Sequence, residues 1–192
     1  LKALGLSEHG PIVRGAFDPI YFLNLSVVPR VLYGVEILHG CEADVLIDGS
    51  LNIPQDVIGC IDYVIAGMHG PHYVDQGRRK NTENVISCMK RDYVYFVSHP
   101  DNDRFPLDYE ELVPAAKEYH VALEVNNSSF TKPLLRVNCV DNYRTMLPLC
   151  ERYQVPVIVS SDAHDPSWVG QIDLAQALLK EISFDSSLIL NA

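Results

Sequence analysis

Residues 108–127, DYEELVPAAKEYHVALEVNN, decide the fold class, because they join a helix pattern to a strand pattern without a linker. Leu112, Ala116 and Tyr119 recur at the spacing of one helical face, and acidic residues occupy the first turn, where the helix dipole favours them. The VALEV run that follows is short and mostly apolar, as strands of parallel sheets covered on both faces are. The segment therefore predicts one step of alternating α and β structure.

The same alternation continues towards both termini. Strand-like runs rich in Val, Ile and Tyr occupy residues 1–6, 31–38, 61–66, 93–97, 121–125 and 155–159. Amphipathic, helix-like stretches lie at residues 82–91, 108–119, 142–153 and 171–182. Alternating strands and helices need right-handed crossovers, so the order predicts a parallel α/β sheet, open or closed. Since no linker rich in Pro, Gly or Ser interrupts the 192 residues, we expect one domain over residues 1–192.

The composition restricts the classes of partner. The formal net charge of −10 argues against a generally basic nucleic-acid face and against a polybasic membrane patch, and bound divalent cations would offset part of it. The apolar runs are too short to span a bilayer. The five cysteines are odd in number and widely spaced, which is typical of reduced thiols in a cytoplasmic protein.

Polar residues with metal-binding side chains follow most of the strand-like runs. In a parallel α/β barrel the carboxyl ends of the strands lie on one face, where active sites form. Imidazoles and carboxylates gathered there are a metal-ligand set. A single histidine at a strand end is more often an exposed loop residue, so the prediction depends on the whole group. The candidate ligands are His9, Glu42, His69, His99, Asp162 and His164.

A second group of residues is predicted to contact the substrate. Asn126 and Asn127 close the fifth run, where a role in the site and a role in a local turn are equally compatible with the sequence. His72 lies close to the site in the sequence and could approach a substrate phosphate. Cations in the loops after the strands could hold the rest of the substrate, although solvated surface charges would give the same pattern. These cations are Arg78, Arg79, Arg104 and Lys132.

The order and spacing of these motifs resemble the polymerase and histidinol phosphatase (PHP) superfamily, and most closely its YcdX-like bacterial metal-dependent phosphatases. The resemblance covers nearly the whole chain. It is carried by GCEA at residues 40–43, AGMH at 66–69, SHP at 98–100, LEVNNSSF at 123–130 and SDAH at 161–164.

The resemblance implies a distorted, TIM-like, seven-stranded (β/α) barrel that holds three divalent metal ions, usually zinc or manganese. It implies that Glu42 bridges two ions, that His69 and His99 complete the second site, and that Asp162 serves the first. His9 and His164 would serve the third. Family members begin with a strand that ends in H-x-H, and no such segment precedes Leu1. We therefore expect a PHP domain that is truncated at its N-terminus and lacks the first strand.

The implied activity is the hydrolysis of phosphate monoesters by a hydroxide shared between metal ions, without a protein nucleophile. The expected partner is a small phosphorylated substrate, and a homo-oligomer is compatible with the sequence. Two alternatives remain open. An amidohydrolase-like metal hydrolase uses similar ligands, although it commonly has a bridging lysine, and no lysine lies at a strand end here. The other alternative is a non-catalytic metal-binding accessory module.

Overall fold

A computed structural model describes residues 1–11, 16–70 and 72–191. Its strands are β1 (Ala3–His9), β2 (Val31–Leu32), β3 (Val35–Asp44), β4 (Tyr63–Gly67), β5 (Val94–Val97), β6 (Ala122–Asn126) and β7 (Val157–Ser160). Its α-helices are α1 (Pro19–Asn24), α2 (Gln55–Ile58), α3 (Arg78–Met89), α4 (Tyr109–Glu118), α5 (Cys139–Tyr153) and α6 (Asp173–Glu181). Within these ranges no helix is both long and apolar enough to cross a membrane.

The strands form one sheet in the order β1-β3-β4-β5-β6-β7, and all of these neighbours are parallel. In the described part of the chain β1 and β7 are the two edges, so the sheet is a curled half-barrel. The predicted α/β class with a parallel sheet is confirmed at this level. The expected seven-stranded barrel differs in two respects: the described strands form an open half-barrel, and one of the seven, β2, is antiparallel to its neighbour.

The exception is the predicted strand at residues 31–38, which the structure divides in two. Val31 and Leu32 of β2 pair in antiparallel fashion with Val35 and Glu36 of β3. The turn between them consists of Tyr33 and Gly34, with φ angles of 52° and 79°. Positive φ at both central residues is what a tight two-residue hairpin requires. The apolar run therefore turns back on itself before β3 begins.

The two faces of the sheet are covered differently. Val64, Ala66, Leu123 and Val125 point outwards into the main core, which they share with α3, α4, α5 and α6. On the concave face Ile65, Phe96 and Ala122 form a small apolar cluster, and Tyr63 packs against it. The ring of Tyr63 lies so close to Gly40 that a Cβ at this position would overlap ring carbons. The concave face is thus filled by apolar side chains deep inside, which leaves its carboxyl end for polar residues.

Candidate metal centre

The carboxyl ends of four neighbouring strands place the first part of the site. His9 is the last residue of β1 and lies beside Glu42 of β3 in the parallel register. His69 follows β4 by two residues, and His99 follows β5 by two. Because side chains alternate along a strand, Glu42 and Asp44 point to the same concave face of β3. Four side chains from four strands therefore meet over one end of the sheet.

Three of these side chains converge on one point. The Oε1 atom of Glu42 lies 3.2 Å from the Nε2 atoms of both His69 and His99. The two Nε2 atoms are 2.9 Å apart. Ligand atoms bound tetrahedrally to one zinc ion at about 2.0–2.1 Å would be separated by about 3.3 Å. The spacing of these three atoms thus fits a shared divalent ion.

His9 extends the group. Its Nδ1 atom lies 3.5 Å from Oε2 of Glu42, the carboxylate oxygen that does not face His69 and His99. His9, Glu42 and His69 each offer a ligand atom, and these atoms lie within 4.8 Å of one another. The Nδ1 atom of His9 is buried and has no hydrogen-bond partner among the described residues. The two oxygens of Glu42 therefore face nitrogen atoms on opposite sides, as a bridging carboxylate would.

Asp44 orients His69. Oδ1 of Asp44 lies 2.6 Å from Nδ1 of His69, and Asp44 is completely buried. Asn52 holds this carboxylate in turn, since its side-chain NH2 donates to Oδ2 of Asp44 and its Oδ1 accepts the Asp44 backbone N–H, both at 2.7 Å. A proton on Nδ1 leaves the lone pair of Nε2 facing Glu42. This carboxylate–histidine arrangement is typical of metal ligands.

Glu42 and His69 shift each other's pKa values towards their charged forms. Burial alone would raise the pKa of Glu42, but the adjacent His69 and His99 outweigh it and hold the pKa well below its usual value. Burial opposes the charged form of His69, yet Glu42 and Asp44 more than offset it and raise its pKa to about 10. In metal-free protein a proton on His69 thus compensates the carboxylates, and a cation can replace that proton.

The second part of the site comes from the end of β7. Oδ1 of Asp162 lies 3.3 Å from Nε2 of His164, and Oδ2 accepts a hydrogen bond of 3.1 Å from the Asn126 amide. Arg136 approaches the same oxygen at 3.4 Å. The rings of His164 and His9 are 6.1 Å apart between their centroids. This contact joins the Asp162 group to the Glu42 group across the concave face.

Glu124, buried in β6, connects the two groups through hydrogen bonds. It accepts the backbone N–H of His99 at 2.6 Å, the Asn126 amide at 3.1 Å and the Ser160 hydroxyl at 2.5 Å. Burial, and then the negative charges of Asp162 and Glu42, raise the pKa of Glu124 to about 8. His99 and Asp162 both have positive φ, at 32° and 48°. The hydrogen bonds of Glu124 and Asn126 fix these two residues in a conformation that non-glycine residues seldom adopt.

A cavity of about 200 Å³ opens above these residues. The six predicted ligands all line it: His9, Glu42, His69, His99, Asp162 and His164. The lining also includes the cations Arg104, Lys132 and Arg136 and the apolar residues Met68, Phe105 and Leu135. The cavity thus combines potential metal ligands, positive charge and apolar surface.

Only some of the residues predicted to contact the substrate lie at the cavity. Asn126 contacts Asp162, and Arg104 lines the cavity. Oδ1 of Asn127 instead accepts the backbone N–H groups of Leu174 and Ala175 at the start of α6, which is a structural role. His72 and Arg78 are not among the residues that line the cavity.

His72 and Arg78 lie outside the cavity lining. His72 donates its backbone N–H to the carbonyl of His69, and Arg78 is exposed at the first residue of α3. The exposed Arg79 pairs with Glu83 one helical turn later, so it corresponds to the solvated surface alternative. For His72 and Arg78, proximity in the sequence to a predicted ligand did not place the residue in the cavity lining.

Three residues of the site were not among the predicted ligands and substrate contacts. Asp44 and Glu124 each lie two positions from a predicted residue on the same strand, so the period of two could have identified both. Arg136 lies in the loop before α5, and the sequence carries no periodic signal for it. Its Nε atom is buried without a hydrogen-bond partner among the described residues.

Comparisons with known proteins identify relatives by sequence. No family model matches the chain. A protein named probable phosphatase from Clostridium novyi is 38% identical over 192 residues, which are 100% of this chain and 78% of the relative. A probable phosphatase from Caldicellulosiruptor bescii is 36% identical over 193 residues, covering 100% of this chain and 79% of the relative.

Two solved structures share the fold at low sequence identity. The histidinol phosphate phosphatase of Lactococcus lactis, solved with zinc, L-histidinol and phosphate, gives a TM-score of 0.64 at 16% identity over 96% of this chain and 83% of that one. A chain of an archaeal ribonuclease P with mature tRNA gives 0.59 at 13% identity over 95% and 78%. At these identities the likeness concerns the fold alone.

Proposed function

This chain belongs to the family of bacterial proteins named probable phosphatases, and we propose that it is a metal-dependent phosphatase of the PHP type, most similar to its YcdX-like members. In this proposal residues 1–192 are a single phosphoesterase domain, and the reaction is the hydrolysis of phosphate monoesters. Water adds to phosphorus, the ester P–O bond breaks, and the products are an alcohol and inorganic phosphate.

The main support for metal dependence is the convergence of Glu42, His69 and His99. Two imidazole nitrogens 2.9 Å apart, each 3.2 Å from one carboxylate oxygen, have the separations expected around an ion. Without an ion, one of the two nitrogens must carry a proton to avoid the repulsion of two lone pairs. The Asp44 contact, which orients His69 through its other nitrogen, supports the same assignment.

The remaining candidates would hold neighbouring ions. In the arrangement that the family resemblance implies, Glu42 and Asp162 would hold a first ion, and His9 and His164 would hold a third. The contacts of His9 with Glu42 and of His164 with Asp162 keep all four residues within one group. Nitrogen and carboxylate ligands are compatible with zinc or manganese. The zinc and phosphate in the Lactococcus lactis phosphatase, which has the same fold, support this choice of ion type.

The side chains around the cavity would have separate roles in the reaction. When bound, the ions supply positive charge for the phosphoryl oxygens and a water that loses its proton near neutral pH. Arg136, whose guanidinium lies 3.4 Å from Asp162 at the cavity wall, is placed to hold a phosphoryl oxygen. Arg104 and Lys132 line the same cavity and would neutralise further negative charge on the substrate. Asn126 keeps Asp162 in place through its amide.

A chelation and reloading experiment tests the function. Purified protein is stripped of metal, then assayed for phosphate release from a panel of phosphate monoesters before and after addition of zinc or manganese. We expect activity to disappear and to return with the ion, and Glu42→Ala protein to remain inactive after reloading. Phosphate release that persists in fully stripped protein would overturn the metal dependence. Hydrolysis of amide or lactone substrates in place of phosphate esters would instead favour an amidohydrolase-like activity.

A further inference from the structure

The rim of the cavity has an apolar side that the hydrolysis of a phosphate group does not require. Leu135 lines the cavity while remaining 54% exposed, and its neighbour Leu134 is 90% exposed. Phe105 and Met68 are further apolar residues of the same lining. Exposed apolar surface that is continuous with a reactive cavity is typical of ligand recognition.

Trp168 adds an aromatic ring next to this rim. It ends the short 3₁₀ helix Pro166–Trp168, which begins two residues after the cavity-lining His164. The ammonium group of Lys132, another lining residue, lies 5.8 Å from the centre of the indole ring. This distance is within the range of a cation–π contact, which holds the ring beside the opening. Trp168 nevertheless remains 45% exposed, so part of the indole is free for a ligand.

The charges around the opening complement a phosphate monoester. Among the described residues no ion pair involves Lys132 or Arg104, whereas Arg136 has only the 3.4 Å contact with Asp162. The cationic wall would draw the phosphate towards the metal ligands. The organic part of the ester would then lie against Leu135 and Trp168, because Leu135 lines the cavity and Trp168 contacts the cavity-lining Lys132.

We infer that the rim formed by Trp168, Lys132, Leu134 and Leu135 is a subsite for the organic group of the substrate, and that it selects phosphate monoesters with an aromatic or apolar group next to the ester oxygen. This inference rests on the proposed phosphatase function. A flat apolar group packs against indole and leucine side chains, whereas a hydroxylated short chain would have to give up hydrogen bonds to water there.

The experiment uses the metal-loaded chain and two pairs of probes. Phenyl phosphate and glycerol 2-phosphate are the hydrolysable pair, and phenylphosphonate and methylphosphonate are the pair that cannot be cleaved. Trp168 is the only tryptophan in the sequence, so its emission reports directly on the rim. We expect phenylphosphonate to change this emission in a saturable way, with a much smaller change for methylphosphonate.

Variants of Trp168 provide a second, kinetic test of the subsite. In Trp168→Ala the ratio of kcat/KM for phenyl phosphate to that for glycerol 2-phosphate should fall by about tenfold, mainly through the KM for phenyl phosphate. Trp168→Phe should restore most of the ratio. Tyr95→Ala, which removes an exposed aromatic ring that does not line the cavity, is the matched control and should leave the ratio unchanged.

The possible outcomes test the apolar subsite and the phosphatase function separately. If both esters are cleaved and Trp168→Ala leaves the ratio as it was, or if both phosphonates change the emission equally, the apolar subsite is wrong and the phosphatase function stands. If neither ester is cleaved but phenylphosphonate still changes the emission selectively, the subsite is supported and the hydrolysis is contradicted. Absence of both cleavage and binding would overturn both.

Discussion

Gly67 is the residue with the least room for change in the site. It ends β4 beneath the ligand cluster, and a Cβ there would lie 2.5 Å from Ser98 Oγ, 2.7 Å from His69 Cε1 and 3.0 Å from Glu42 Oε1. No methyl group fits at these distances without moving His69 or Glu42. The absence of a side chain at this position is thus part of the geometry of the proposed metal site.

We therefore expect Gly67→Ala to lower the metal content of the purified protein and to reduce phosphate release by at least about tenfold, because displaced ligands hold an ion less tightly. Elemental analysis and the phosphatase assay measure the two effects. The matched control is Gly59→Ala, where the new Cβ would meet only the Asp56 carbonyl oxygen at 3.7 Å. Normal metal content in Gly67→Ala, with a fold as stable as that of the control, would contradict the proposed positions of His69 and Glu42.

Glu124 shows why some site residues escape a sequence analysis. The metal-ligand candidates were found because His, Asp and Glu recur at strand ends, which is a local pattern. Glu124 acts through His99, Asn126 and Ser160, and two of these three residues belong to other parts of the chain. The period of two places Glu124 on the same face as Asn126. Its hydrogen bonds, however, depend on how β5, β6 and β7 lie next to each other, and that register cannot be read from a single sequence.

At the scale of elements, the four predicted amphipathic helices and the strand pattern correspond to α3 to α6 and to the parallel strands. Hydrophobic periodicity predicted these elements because each buries one continuous face. The short helices α1 and α2 were not predicted, since six and four residues are too few to show a period. The hairpin of β2 and β3 was missed because Tyr33 adopts a positive φ that its residue type does not indicate.

The start of α6 depends on a side chain from a different element. Ile172, the residue before the helix, offers no capping side chain, and Oδ1 of Asn127 accepts the Leu174 and Ala175 N–H groups at 2.9 and 3.0 Å. These are two of the backbone donors that a helix start leaves unpaired. The adjacent Asn126 points the other way, towards Asp162. The two asparagines thus separate a structural role from a role in the site.

We expect Asn127→Ala to lower the free energy of unfolding by about 1–2 kcal/mol, the usual effect of losing a helix cap. Urea denaturation of metal-loaded protein measures the change, and hydrogen exchange should show the loss at the start of α6. Asn126→Ala is the paired variant, and we expect it to lower metal content instead, because Asp162 loses a hydrogen bond. A larger loss of metal in Asn127→Ala than in Asn126→Ala would reverse this division of roles.

In the whole molecule, the fold brings carboxylates and imidazoles from six parallel strands together in a protein whose net charge is −10. In stripped protein the proton on His69 offsets part of this charge, since its pKa is raised to about 10 from 6.5. The pH dependence of this stabilisation follows from the linkage between proton binding and folding. The stabilising effect of this proton is complete below pH 6.5 and is lost as the pH rises through about 10.

Metal binding should therefore release a proton. At about pH 8 an ion that binds Nε2 of His69 has to displace the proton held there, so we expect close to one proton released for each ion at this site. Titration calorimetry in two buffers with different protonation enthalpies measures the number. Since Asp44→Asn removes one of the charges that raise this pKa, fewer protons should be released from that variant. Equal heats in both buffers for the unaltered protein would show that His69 is neutral before the ion binds.

Anomalous diffraction from zinc-loaded crystals would show whether Glu42, His69 and His99 hold one divalent ion. We expect a peak at the zinc absorption edge about 2.0–2.2 Å from Glu42 Oε1 and from the Nε2 atoms of His69 and His99. Crystals of Glu42→Ala protein, prepared in the same way, should lack that peak. A fully loaded crystal whose zinc lies elsewhere, with these three atoms still in mutual contact, would contradict the account.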